Sequence, residues 1–314
     1  MSAGERRSSE NNGYPRTVIR EPRSAKEDRV IVNVPSTEIP STDAPSTDVP
    51  STTAPAVAVV IPAFNEQREI AATLHALRAQ SFDDLFHREV LHGFRIVVVD
   101  NNSTDDTARI VGEIAAEPGV PIELISEPEP GTGCAVDTGF RHAIDTGAIY
   151  IARTDADTLP AADWLANLLI PLMNGQRLVG GRVLARNDAG MTSTLFNLAG
   201  KLWRVGHAVN WWKTRKEPDD RRRSFAVVGN NMAIDAEMYR LSGGFPRSRI
   251  DELDEDAVLQ RRVRAITGKR GIALRKQAVV RTSMRRLSEY GAQGYVEWYR
   301  SEDRGALGRD VDIR

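Results

Sequence analysis

AVAVVIPAFNE, residues 56–66, decides the fold: a β-branched run ends at Pro62, and EIAATLHALRAQ (69–80) follows with Ile70, Leu74 and Leu77 at helical spacing. This is a strand running into a helix. Downstream, FRIVVVD (94–100) reads as a second buried strand and TDDTARIVGEIAAE (104–117) as its helix, with Ser103 or Thr104 expected as the cap and Asp105 and Asp106 suited to the positive helix end. IELIS (122–126), the helix after Gly133 and AIYIART (148–154) repeat the alternation. Because the strands are continuously hydrophobic rather than alternating, both faces of the sheet must be covered. The reading predicts an α/β domain with a mostly parallel central sheet flanked by helices.

Further along, RLVGGRVLA (177–185) reads as a strand, AEMYRLSG (236–243) as a short helix, and DEDAVLQRRVRAITG (254–268) as a longer helix stopped by Gly268. WKTRKEPDDRRRS (212–224) is a charge-rich surface loop in this reading. Residues 1–55 differ in kind: small polar and charged residues dominate, and the units PSTEI, PSTDA, PSTDV and PSTTA start at Pro35, Pro40, Pro45 and Pro50. A disordered, proline-stiffened tail is expected there. The remaining chain, 56–314, is read as one domain, with a nucleotide-binding half at 56–160 and an acceptor-binding half at 161–314.

Composition narrows the function classes. The 314 residues carry 42 basic and 43 acidic side chains, a net charge of −1, so attraction to nucleic acid is not the organising force and no nucleic-acid partner is expected. The single cysteine, Cys134, excludes an internal disulfide and a cysteine-built zinc site; a small packed side chain is its expected role. His75, His87, His92, His142 and His207 show no metal-pair spacing. No apolar run reaches the roughly 18 to 20 residues of a membrane helix. A cytoplasmic protein is expected, with peripheral contact at the inner face of a membrane left open.

Parallel strands end on one edge, and ligands bind beyond it. Asp100 closes the second strand, Asp155 and Asp157 close the fourth in RTDADT, and Glu66 follows the first. Carboxylates gathered there repel unless a cation offsets them. Magnesium or manganese suits oxygen donors of this kind and leaves coordination positions for substrate phosphates. Arg153, two positions before Asp155 on the same strand face, is placed for an ion pair.

The ordered series PAFNE, VVVDNNSTDDT, EPGTGCAVDTGF, RTDADT, GNNMAI, GGFP and DEDAVLQRR resembles the family 2 glycosyltransferases, nucleotide-sugar-dependent enzymes with a Rossmann-like GT-A fold, over about residues 56–286. The resemblance implies that Glu66 and Asp100 hold the nucleoside, in a donor-binding set that includes Pro62, Asn102, Gly133, Asp155, Asn231 and Arg285. Asp157 matches the direct metal ligand of the D-x-D, for Mn2+ or Mg2+, and Asp155 the acid nearer the ribose. Gly131 and Gly133 would permit close backbone approach. Asn230 and Asn231 would face the sugar or acceptor, and Arg285 or Arg286 the diphosphate. Glu255 and Asp256 match the catalytic acidic pair, with Leu259 on its apolar site and Arg262 on its arginine. Asp256 is taken as the base, with Glu255 and Asp254 as alternatives.

The implied reaction is inverting transfer from a UDP- or GDP-linked sugar to an unidentified hydroxyl acceptor. One departure stands out: Val136 and Asp137 occupy positions where relatives carry arginine and asparagine. Competing readings are weaker. The G-T-G turn with Asp155 placed 22 positions after Gly133 imitates the dinucleotide unit of an NAD-dependent oxidoreductase, but Val136 occupies the third glycine position. A nucleotidyltransferase lacks its basic glycine loop here, and a non-catalytic nucleotide-sugar binder would not need Asp256. Trp203, Trp211 and Trp212 are expected in packing, or stacked on a sugar or lipid. The oligomeric state is not legible.

Overall fold

Val57–Ala63 (β1) is buried along nearly its whole length because it lies between two parallel neighbours, Phe94–Asp100 (β2) and Tyr150–Arg153 (β4). The structure is a computed structural model that describes residues 56–82, 93–186, 227–247 and 255–285. The expected tail at 1–55, the charge-rich loop at 212–224, His87, His92, His207, Trp203, Trp211, Trp212, Asp254 and Arg286 lie outside the described residues. The remaining strands are Ile122–Ser126 (β3), Thr158–Pro160 (β5), Leu178–Ala185 (β6), Met232–Asp235 (β7) and Ile272–Thr282 (β8). They form one sheet in the order β3-β2-β1-β4-β7-β6-β8-β5.

Successive side chains of β1 point to opposite faces. Val57, Val59 and Ile61 pack with Ile70, Leu74 and Leu77 of α1 (Ile70–Arg78), Val111 and Ile114 of α2 (Thr107–Ala115), and Trp164, Leu165 and Leu168 of α4 (Trp164–Met173). Ala58 and Val60 pack with Val136 and Phe140 of α3 (Thr132–Asp145), Met238 and Tyr239 of α5 (Ala236–Leu241), and Leu259 and Val263 of α6 (Glu255–Thr267). Two cores, one per face, explain the unbroken apolar runs. Gly139 lets α3 rest directly on the sheet: a Cβ there would lie 2.5 Å from Val60 Cγ1.

The first half of the sheet is parallel as expected, but the second half is mixed. β7 runs antiparallel to both β4 and β6, and β5 antiparallel to β8. These reversals build the site. The register Arg153↔Met232 sets the GNN turn that precedes β7 beside the carboxyl end of β4. The register Thr158↔Thr282 sets the residues after β8 beside Asp157, whose carbonyl accepts from the Ser283 amide at 3.2 Å. Neither β5 nor β8 carries a clear period in the sequence, since β8 alternates irregularly between buried and exposed positions.

Candidate active site

The loops after β1 and β2 are laced together. Asn65, at φ 52°, accepts from the Thr104 amide at 2.8 Å and donates its own amide to Ser103 Oγ at 3.1 Å, while the Glu66 amide donates to Thr107 Oγ1 at 2.8 Å. Ser103 and Thr104 therefore serve the neighbouring loop and do not cap α2. The N-cap position is Asp106, and Asp105 just before it accepts from the Thr107 amide at 2.9 Å; partial burial opposes the charge, yet the bonds from Thr107 and Gln67 hold the Asp105 carboxyl below the usual range.

These loops aim Glu66 at the rim. Arg285 Nη1 and Nη2 donate to Glu66 Oε2 and Oε1 at 3.1 and 2.6 Å, and Nη2 lies 3.8 Å from Asp157 Oδ2. Asp100, opposite Ala63 in the β1–β2 register, has a buried Oδ1 with no hydrogen-bond partner among the described residues. An acceptor in that state is costly unless a ligand donor meets it. Pro62 sits one position earlier in the same register, opposite Val99.

A second set of acids is organised by Arg153. Its Nη2 donates to Glu255 Oε1 at 3.1 Å and lies 3.5 Å from Asp155 Oδ1. The pairing with Asp155 was foreseeable from strand periodicity; the closer one with Glu255, 102 positions away, was not. Burial opposes the Arg153 charge, yet Asp155, Glu255 and Asp256 outweigh it and keep the guanidinium protonated. Asp256 Oδ2 accepts from the Gly229 amide at 2.9 Å and Oδ1 from the Ala257 amide at 2.6 Å. Its burial, and then the Glu255 charge, push its carboxyl up to about 6 against the opposing pull of Arg153 and the two amides. Leu259 is fully buried, and Arg262 Nη1 holds the glycine turn before Phe245 through the Gly243 and Gly244 carbonyls at 3.2 and 2.7 Å.

The glycine turn is held from below. Asn101 Nδ2 donates to the Glu127 and Glu129 carbonyls at 2.7 and 2.8 Å, and its Oδ1 accepts from Gly131 at 2.8 Å. Asn102, at φ 68°, donates to the Glu127 and Pro128 carbonyls at 3.3 and 3.2 Å. Gly131, at φ 141°, precedes α3, where Gly133 is the buried second residue. Asp137 is 1% exposed and accepts from Tyr239 Oη and Arg141 Nε, both at 2.8 Å, while Val136 is core. Sequence reasoning missed Arg247, which pairs with Glu127 and Glu129 at 2.9 and 2.8 Å and approaches Asp137 at 3.6 Å. Its one signal was its place directly after the GGFP turn.

One expectation is corrected. Asn231 was expected to face the sugar, but it is fully buried: Oδ1 accepts from Trp164 Nε1 at 2.9 Å, and Nδ2 donates to the Arg182 and Ala278 carbonyls, both at 3.1 Å. Gly181 makes room for it, since a Cβ there would lie 2.3 Å from Asn231 Oδ1. Its neighbour Asn230 keeps a buried Oδ1 without a partner among the described residues. Cys134 is the small packed side chain expected: it is buried, and burial first, then Glu129, pushes its thiol up to about 11.

Asp155 and Asp157, with side chains 36% and 14% exposed, carry the carboxylate oxygens at this turn that could hold a divalent cation. No group of three His, Cys, Asp or Glu side chains among the described residues forms a complete metal cage. The donor chemistry fits Mg2+ or Mn2+ bound by one or two carboxylates together with substrate phosphates.

A family model described as glycosyl transferase family 2 matches residues 58–238. An uncharacterized glycosyltransferase of Mycobacterium tuberculosis is 35% identical over 164 residues, covering 51% of this chain and 60% of that protein. The UDP-N-acetylglucosamine–dolichyl-phosphate N-acetylglucosaminyltransferase of Methanococcus voltae is 27% identical over 141 residues, covering 40% of this chain and 52% of that protein. The chain thus spans about half to three fifths of these relatives' lengths. Among solved structures, the mannosyltransferase PcManGT of Pyrobaculum calidifontis, in complex with GDP-Man and Mn2+, superposes with a TM-score of 0.51 at 23% identity, covering 84% of this chain and 67% of that one. The glucosyl-3-phosphoglycerate synthase of M. tuberculosis gives 0.51 at 19%, covering 77% and 76%. At these identities the likeness is one of fold.

Proposed function

The chain belongs to glycosyl transferase family 2 and has its GT-A fold, and on that premise we propose that it moves a sugar from a UDP- or GDP-linked donor to an acceptor hydroxyl, with inversion and with Asp256 as base. One observation carries this reading. Two runs of polar contacts, one from Glu66 through Arg285 to Asp157 and one from Asp155 through Arg153 to Glu255, the neighbour of Asp256, end on the two acids of the same short turn after β4. Acids from separate strands thereby share one rim.

Glu66 and the unsatisfied Asp100 oxygen accept from the nucleoside. Asp157, with Asp155 beside it, would hold a divalent cation, which when bound neutralises charge developing on the departing diphosphate. Arg285 stands next to Asp157 and adds a guanidinium fork suited to phosphate oxygens. Asp256 takes the acceptor proton as the oxygen attacks. Its position is that of a group held near neutrality by burial, which matches the basicity asked of a general base. The relative named for UDP-N-acetylglucosamine and the neighbour holding GDP-Man and Mn2+ support the donor class and the metal. The dinucleotide alternative is disfavoured because Val136, at its third glycine position, is buried core.

The test is thermal stabilisation by UDP-glucose, UDP-N-acetylglucosamine and GDP-mannose, with and without Mn2+. At least one donor should stabilise the chain, more strongly with the metal. Stabilisation by NAD and by none of the nucleotide sugars would overturn the reading. An acceptor that is itself a phosphate, as in the dolichyl-phosphate relative's name, needs no base, and Asp256→Asn would then leave transfer intact.

A further inference from the structure

Arg153 is the last residue of β4 and is 2% exposed. A hydrocarbon side chain at that position would bury without electrostatic penalty, whereas a guanidinium must be offset. The offset is incomplete: among the described residues Nε and Nη1 are buried with no hydrogen-bond partner, and Nη2 alone makes the contacts to Glu255 and Asp155. The group is also closely packed. Its Cζ lies 5.5 Å from the Phe245 ring centroid, and a Cβ on Gly229 would stand 3.0 Å from Nη1. Gly229 in turn donates its amide to Asp256. A buried, half-satisfied cation is poor material for stability, so its value must lie in what it orders.

We propose that Arg153 is the positioning residue of the catalytic base: it engages Glu255, packs beside Gly229, whose amide holds Asp256, and ties both to the strand end that bears the donor-binding acids. Arg153 thereby sorts two adjacent carboxylates into different tasks. Glu255 has the cation. Asp256 has two backbone amides and no ion-pair partner among the described residues, so it stays available to the acceptor proton. The inference rests on the proposed reaction and on Asp256 as its base.

The experiment uses the full chain with Mn2+ and measures nucleoside diphosphate release from UDP-glucose, UDP-N-acetylglucosamine or GDP-mannose, alongside donor affinity, in wild type, Arg153→Met, Arg153→Lys and Asp256→Asn. The charged groups facing Asp256 among the described residues are Glu255 on its own helix and Arg153 on β4. Removing the cation should therefore move the acid limb of the rate profile upward by about one pH unit in Arg153→Met. Arg153→Lys should keep the limb in place yet lose about tenfold or more in rate, since a point charge cannot reproduce the packed fork. Donor affinity should fall by much less than turnover in both, because of the acids on Nη2 only Asp155, at the longer 3.5 Å, belongs to the donor set, against 3.1 Å for Glu255. A folded Arg153→Lys releasing diphosphate at the wild-type rate overturns the inference, including the case where Arg153→Met fails to fold. Failure of the underlying reading looks different: Asp256→Asn would then turn over like wild type.

Discussion

Arg285 and Glu66 meet in a two-point ion pair at 2.6 and 3.1 Å although 219 positions separate them in the chain. The pair joins the loop after β1 to the residues after β8, and its reach to Asp157 couples the last described segment of the chain to the D-x-D turn. Opposed burial notwithstanding, Glu66 first and then Asp157 hold the Arg285 pKa above its ordinary value. A guanidinium so placed is charged under all working conditions.

Arg285→Ala is expected to weaken UDP or GDP binding in the presence of Mn2+ by about tenfold, the scale of one charge-assisted phosphate contact. Glu66→Gln should weaken it too, and the double variant should fall short of the sum because the two side chains touch. Calorimetric titration of the four proteins reads the coupling. Unchanged affinity in Arg285→Ala would remove Arg285 from the donor site.

Asp256→Asn should lower turnover by about 10²–10⁴-fold while leaving donor affinity near wild type. Glu255→Gln should cost less, because its carbonyl can still accept from Arg153. The reverse ranking, measured by diphosphate release, would transfer the base to Glu255.

The turnover of the wild type should rise through about pH 6 and level off above it, as Asp256 ionises. Stability runs the other way. Folding raises this carboxyl above its ordinary value of 3.8, so the stability it contributes is complete below about that pH and is lost as pH climbs through about 6. Asp256→Asn escapes the loss. Its melting temperature should gain on the wild type between pH 4 and pH 7, and a constant difference across that range would contradict the burial argument.

Asn231→Leu should act on stability rather than chemistry. It leaves the Trp164 Nε1–H and the Arg182 and Ala278 carbonyls unpaired in the interior, at a cost of about 3 kcal/mol. Denaturant unfolding measures that cost, and at a temperature where the variant is folded its turnover should stay within about threefold of wild type. Loss of turnover without loss of stability would restore Asn231 to the sugar site.

Asp157→Ala should abolish the extra stabilisation that Mn2+ confers on donor binding, and a chelator should do the same to the wild type while leaving the variant unchanged. Thermal shift with each donor is the measurement. A variant that keeps its Mn2+ response would place the cation elsewhere.

Much of the first half was legible because its signals are local. The β-branched runs at 57–63 and 94–100, buried on both faces, and the helical spacing of Ile70, Leu74 and Leu77 translate directly into strand and helix. Asp100 and Asp155 were readable at strand ends for the same reason. Cap and loop partners were less so. Ser103 and Thr104 have the right chemistry for a cap, yet Asn65, 38 positions from Ser103, bonds with both residues. Asn231 likewise looked like a surface amide until Gly181 and Trp164 enclosed it.

The order of apolar runs and glycine turns determined the parallel first half of the α/β sheet and set Asp100 and Asp155 at its strand ends, since backbone period is a property of neighbouring residues. The tertiary structure alone decided which charges meet. Arg153 chooses Glu255, Arg285 chooses Glu66, and the antiparallel registers at Met232 and Thr282 bring them together. Such pairings depend on distances of a few ångströms between segments more than 100 positions apart, and electrostatic energy at that range is set by geometry and burial, which no local pattern encodes.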